Sequence, residues 1–349
     1  MKFIPIIILI VLSISCNLSV DSTEVRVSEA EEQETISLDD YFSVDQVIQL
    51  ETTDDILLSH MPTKVRLFED KLYVFDKRNR KDLFIFNLDG SLIKHINFVN
   101  ADTARFRNVV DLDIIESSKS LAILDLGSRK VYFYGLDATT LKGEKTIPEG
   151  YINMNYANGN LVFLPGRNTT RESGHFFEIW AADLESKKGE YFPFHENTNT
   201  NFANSHKFIN FDNRLSFWEP FNDTIYTYDF IKEKAEKLPV KFPNPLPSDL
   251  YEKELIDKIN YVQNTETESL FINNAYSNSD FRFFNYISAP NGVLNFFESK
   301  GKSFQGKSYQ LGDYTFETIV DSVNEDTFYS ILNMDDDSQN PQLILFSVK

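Results

Sequence analysis

The chain has 349 residues, a formal net charge of −19, a hydrophobic share of 42% and a single cysteine. That charge excludes nucleic acid as a partner, because phosphates need a basic surface. One cysteine excludes an intramolecular disulfide and a cysteine-based metal site. Phe (31) and Tyr (16) are abundant, which favours strands over helices.

Taken in chain order, Met1-Lys2 is followed by an apolar run from Phe3 to Ile14. The run is shorter than the roughly 20 residues of a spanning helix and reads as the core of a signal peptide over residues 1–15. Ser15-Cys16 ends it and resembles the lipobox of bacterial lipoproteins. That predicts acylation of Cys16 and a place in the cell envelope as an outer-membrane lipoprotein, with the periplasmic or surface face left open. Residues 16–40 carry Glu29, Glu31, Glu32 and Glu34 without periodicity and read as an acidic, disordered tether. The folded part is then 41–349.

Val44 to Leu50 alternates as a strand with no hairpin partner nearby. From Lys71 to Asn97 three short strands follow, the last two joined by Asp89-Gly90, a strong hairpin signal. Leu121 to Asp125, Leu161 to Leu164, Leu215 to Trp218, Val293 to Phe297 and Thr327 to Ile331 repeat the second strand of that design. Each is followed by a turn and a further strand, the fifth by Ser308 to Leu311. Repeats of all-strand units about 35 to 55 residues apart predict a β-propeller. The length fits an all-β, six-bladed ring. The last unit lacks a fourth strand, which Val44 to Leu50 supplies by pairing with Gln342 to Val348 and closing the ring. One helical insertion is expected between blades four and five, after Pro243, Pro245 and Pro247. Asp249 and Glu252 are placed as a capping box, and Leu250 to Val262 would lie across one mouth of the ring.

The segments Leu72-Tyr-Val-Phe-Asp76, Leu83 to Gly90, Trp218 to Tyr226 and Asn340 to Phe346 carry a resemblance. Over roughly residues 44 to 349 the chain looks like the six-bladed β-propeller lipoproteins of Bacteroidetes, which share the architecture of NHL-repeat propellers. The resemblance implies no settled activity. A glycine-rich loop usual in that group after the first blade is replaced here by Asn100 to Asn108.

Gly301 to Ser308 matches the P-loop string, but strand formers follow where a helix must start, so a hairpin loop and no nucleotide are expected. Asp335 to Asn340 lacks the spacing of a calcium loop, and the five histidines form no metal pair. No metal or other cofactor is expected. Asp102-Thr-Ala, Asp223-Thr-Ile and Asp321-Ser-Val resemble O-glycosylation sites of exported Bacteroidetes proteins. Basic residues recur in the loops between second and third strands: Lys77, Arg78, Arg80 and Lys81, then Arg129 and Lys130, then Arg167 and Arg171, then Lys300, Lys302 and Lys307. A propeller gathers such loops at one end. Arg78, Arg80, Arg129 and Arg167 are therefore the candidate binding residues, for an anionic glycan or an acidic protein segment. The leading reading is a non-enzymatic, lipid-anchored binding protein. The alternative is a hydrolase or lyase acting at the channel mouth.

Overall fold

The computed structural model describes residues 24–53, 57–58, 62, 64–77, 81–99, 105–148, 150–165, 175–193, 208–218, 223–253, 255–265, 269–289, 291–332 and 340–349. The fold is an all-β propeller. The first sheet holds Lys64–Phe68, Lys71–Asp76, Asp82–Asn87 and Leu92–Asn97, each strand antiparallel to the next. Its hairpin signal works as expected. Gly90 sits at φ +87° and donates its N–H to Asn87 O, and a side chain there would collide with Gln49 O. The same four-strand plan recurs from Val109, Tyr151, Phe208 and Ser269.

The last large sheet closes the ring. Phe42–Gln49 lies antiparallel to Gln342–Val348, with Gln342 opposite Gln49 and Val348 opposite Phe42. This is the pairing expected for the isolated N-terminal strand.

Among the described residues there are seven sheets, so the six blades expected from the sequence spacing are corrected to seven. The additional one contains Thr35–Ser37, Ser308–Leu311 and Tyr314–Phe316. Ser308 to Leu311 therefore does not belong to the fifth sheet, whose third and fourth strands are Gly292–Ser299 and Lys302–Gly306. The cause lies at Gly306. A Cβ there would stand 2.8 Å from Gln33 O, so only glycine lets a second backbone approach and take over the pairing.

That second backbone is the segment read as a tether, and the reading is corrected. Val25–Arg26 pairs in parallel with the outer strand of the fourth sheet, Glu31–Glu32 with that of the fifth, and Thr35–Ser37 with Ser308–Leu311. Residues 24–40 thus form a strap across three sheet edges before the closing strand begins. Val25, Val27, Ile36 and Leu38 are at most 1% exposed, while Glu29, Glu31, Glu32 and Glu34 face solvent. Alternation along an edge strand puts the carboxylates outside and the sparse aliphatics in the core.

The expected helix is also corrected. Ser248–Glu252 is a single 3-10 turn whose N-cap is Pro247, which has no side-chain acceptor, while Asp249 lies inside the turn and pairs with Lys253 at 3.0 Å. Leu250, 1% exposed, pins that turn to the body. A separate helix covers Leu255–Asn264. Among the described residues no helix is long and apolar enough to cross a membrane.

The core lies between neighbouring sheets. One apolar cluster joins the first and last sheets, one the first and second, one the second and third, and one the third and fourth. The largest is aromatic and packs the strap, through Val25, Val27, Ile36 and Leu38, against the fourth, fifth and last sheets. Within it Phe211 stacks on Phe328 at 4.1 Å. Asp212 N–H also donates to Glu325 O at 2.9 Å, so the fourth and last sheets meet directly near the axis.

Candidate functional site

The innermost strands converge on the axis, and their side chains fill it. Lys64 and Arg66 come from the first sheet, Asp111 and Asp113 from the second, and Asp321 from the last. All five are at most 7% exposed. Lys64 Nζ lies 2.9 Å from Asp111 and 3.7 Å from Asp113. Arg66 Nε lies 2.9 Å from Asp113, and Nη1 lies 3.2 Å from Asp321 while donating to Ser322 O at 2.8 Å. Asp111 and Asp113 also accept the backbone N–H groups of Met154 and Tyr156, at 2.8 and 2.9 Å. The registers 64–111–154 and 66–113–156 show three innermost strands running in the same direction.

Two cations and three carboxylates thus stitch the first, second, third and last sheets together. Burial works against the charge on Asp113, but Arg66 and Lys64 overcome it and hold its carboxyl below the usual range. Burial wins at Asp321, whose carboxyl is pushed up despite Arg66. The cavity beside this cluster is about 20 Å³ and admits a single water. Among the described residues the side chains at the axis form a structural ion cluster. Its carboxylates are engaged by cations and backbone N–H groups. Among the described residues no group of three or more His, Cys, Asp or Glu is arranged to hold a metal.

Because the innermost strands run together, turns between second and third strands share one end of the ring. At the second sheet this end is built on Asp125, which is fully buried. Its carboxylate accepts the N–H groups of Arg107 (2.8 Å), Asn108 (2.8 Å) and Gly127 (2.9 Å). Lys81, from the equivalent turn of the first sheet, bonds the Asn108 side chain. Segment 105–108 is thereby pinned between the two turns. Arg105, Arg107 and Arg129 are all exposed there. Among the described residues none of the three guanidinium groups lies within ion-pair distance of a carboxylate. Lys77 sits nearby, its ammonium lowered chiefly by burial, with Lys81 and Lys64 adding to the effect.

Of the arginines picked from the sequence, Arg129 is at this end, in a turn at φ +53°. Arg78, Arg80 and Arg167 lie outside the described residues, as does Cys16. Lys300 and Lys302 are corrected: they flank the turn between the third and fourth strands of the fifth sheet, at the opposite end of the ring. That sheet begins a strand earlier than its apolar pattern suggested, so Val293 to Phe297 is its third strand. Arg105 and Arg107 were missed as candidates. Their signal was position: two arginines directly before the strand Val109–Ile115 must enter the ring at the end where second-to-third turns lie.

The family model described as "Domain of unknown function (DUF4934)" matches residues 22–345. The chain belongs to that family. The matched stretch includes the whole strap, in agreement with the strap being part of the fold. No curated protein matches the chain by sequence. Among solved structures, a "putative exported protein" from Bacteroides fragilis superposes with a TM-score of 0.71 at 13% identity. That match covers 92% of this chain and 99% of the other. A member of the DUF4221 family from Bacteroides vulgatus gives 0.53 at 13% identity, covering 88% and 97%. At such identities the likeness speaks for the fold alone.

The remaining motifs resolve in this DUF4934 fold as follows. The P-loop-like string is not a hairpin loop: Lys302–Gly306 is a strand and Ser308–Leu311 another, with Lys307 N–H bonded to Glu34 O at 3.1 Å. Among the described residues no helix begins at this string, which continues into strand instead. Ser322 of the third glycosylation-like string is 2% exposed and its hydroxyl donates to Asn210 O, which removes it from any modifying enzyme. Thr224 starts a strand and is partly exposed, while Asp102 and the Asp335 to Asp337 run lie outside the described residues.

Proposed function

We propose that this protein is a lipid-anchored propeller of the cell envelope that binds an anionic glycan, uronic or sulfated, over the basic end of its first and second sheets. The observation that carries the reading is the set of exposed guanidinium groups of Arg105, Arg107 and Arg129, which among the described residues have no carboxylate within ion-pair distance, on a chain of net charge −19. Arginine grips carboxylate and sulfate with paired hydrogen bonds. A local positive field on a negative body draws an anion to that end. Arg78, Arg80 and Arg167 are proposed to extend the same surface. The apolar run before Cys16 supports the anchor, and the exported relative from Bacteroides fragilis agrees with an envelope location.

Each exposed contact contributes only about 0–1 kcal/mol, so several must act together and the affinity must fall steeply with salt. The test is binding of sulfated and uronic oligosaccharides at low and high ionic strength, for the wild type and for the combined Arg105→Ala, Arg107→Ala, Arg129→Ala variant. Salt-sensitive binding that the triple variant loses supports the reading. Binding that survives the variant, or a preference for acidic peptides over glycans, overturns it. Separately, Cys16→Ala is expected to release the protein from membranes, and unchanged membrane fractionation would remove the anchor.

A further inference from the structure

A second cavity, of about 400 Å³, lies at the outer side of the fifth sheet, and one of its walls is the strap. Its size falls within the range of about 300–1,000 Å³ typical of small-ligand pockets. The strap wall is held rigidly: Gln33 N–H donates to Gln305 O at 2.8 Å and Lys307 N–H to Glu34 O at 3.1 Å. The Gln305 side chain is locked as well. Its Oε1 accepts the Tyr286 hydroxyl at 2.8 Å, and its Nε2 donates to Glu32 at 3.2 Å. Around this fixed amide stand the amides of Gln33 and Asn291, the Lys307 ammonium and half-buried Leu294.

We propose that this cleft is a binding site for a neutral saccharide. Amides supply donors and acceptors side by side, which suits vicinal hydroxyls that are themselves both. A locked amide contributes without loss of side-chain entropy on binding. Leu294 offers an apolar floor for the C–H face of a sugar ring. The lining carboxylates Glu32 and Glu34 outnumber the single ammonium, which disfavours the anions proposed for the arginine end. The two sites therefore select different chemistry and lie on different sheets. This site exists only while the strap is docked, because Gln33 and Glu32 are strap residues.

The experiment is titration calorimetry of the full folded chain with neutral glucan, galactan and mannan oligosaccharides at low and high salt. Binding indifferent to salt is expected. Asn291→Ala and Gln33→Ala, both on the cavity rim, should each weaken it about tenfold, the size of one or two lost hydrogen bonds. The combined Arg105, Arg107 and Arg129 alanine variant should leave it unchanged, so failure here is separable from failure of the anionic-glycan reading. Gly306→Val, which forces the strap away, should abolish it; if that variant does not fold, the two rim variants decide. Absence of any binding at millimolar saccharide, binding untouched by both rim variants, or selection of a cationic or zwitterionic peptide instead would overturn the proposal.

Discussion

Arg66 at the axis and Arg129 at the end of the ring are the same side chain under opposite conditions. Arg66 is 7% exposed and bonded to two carboxylates and two carbonyl oxygens. Arg129 is exposed and lies within ion-pair distance of no carboxylate among the described residues. The first is part of the scaffold and the second is available to a ligand. The difference is set by where the carboxylates point. At the axis Asp111, Asp113 and Asp321 meet the cations. At the end of the ring Asp125 turns inward to backbone N–H groups, which leaves the arginines above it without a counter-charge.

Breaking the axis should have the largest effect. Arg66→Met leaves Asp321 buried without its cation and Asp113 with only Lys64 at 3.7 Å, a change that costs about 3–5 kcal/mol. A strong drop in the urea midpoint is expected, largely recovered when Asp113 and Asp321 are also made leucine. A melting transition unmoved by Arg66→Met would mean the axis is not held by charge.

The two carboxylates on Arg66 sharpen the comparison further. The Asp113 pKa is lowered in the fold, so its ionised form stabilises at pH above the ordinary carboxylate range. That contribution is lost as pH falls through its depressed folded value. Asp321 is raised, so its ionised form opposes folding at neutral pH and its protonation on acidification relieves the strain. Asp113→Asn should therefore lower the melting temperature at pH 7 clearly more than Asp321→Asn, and its deficit should shrink in acid. Equal deficits with equal pH dependence would contradict the assignment.

At the basic end the expectation reverses. Arg105→Ala, Arg107→Ala and Arg129→Ala should each leave stability within about 0.5 kcal/mol of wild type, as surface changes do, while altering anion binding. A large stability loss would return these residues to the scaffold. The smallest effect is expected at the opposite end of the ring. There Glu116 is pushed up by partial burial and by Glu325, Asp113 and Asp326. Glu116→Gln should raise the melting temperature slightly at pH 7, with the gain fading as pH falls toward the ordinary glutamate range and the wild-type group takes its proton.

Much of the fold was legible because its signals are local. Asp89-Gly90 marks a hairpin whatever surrounds it, and the isolated strand before residue 50 needs a partner that only the last repeat lacks. The strap was not legible. Glu29, Glu31, Glu32 and Glu34 give the composition of a disordered segment, and an edge strand needs only an occasional Val25 or Ile36 to face the core. The axis was invisible for a related reason. Lys64, Arg66, Asp111 and Asp113 alternate with apolar neighbours as surface strands do, and only their convergence from different sheets shows them to be buried. Gly306 carried the division between two sheets, yet one glycine in a strand-rich run has no distinctive pattern. Of the basic turn residues, Arg129 could be placed from turn order, whereas Lys300 could not, because an extra strand ahead of it reversed its end of the ring.

The closing strand has a consequence for how the molecule is made. Phe42–Gln49 must find Gln342–Val348, and the strap before it must find Lys234–Lys241, Lys302–Gly306 and Ser308–Leu311. The strap and the closing strand thus wait for partners that lie far later in the chain. Contacts so distant in sequence slow folding, because the long loop must close before any of its bonds is gained. Until they meet, Val25, Val27, Ile36 and Leu38 and the backbone edges of the sheets they pair with lack the cover they have in the fold, which makes the incompletely folded chain prone to association.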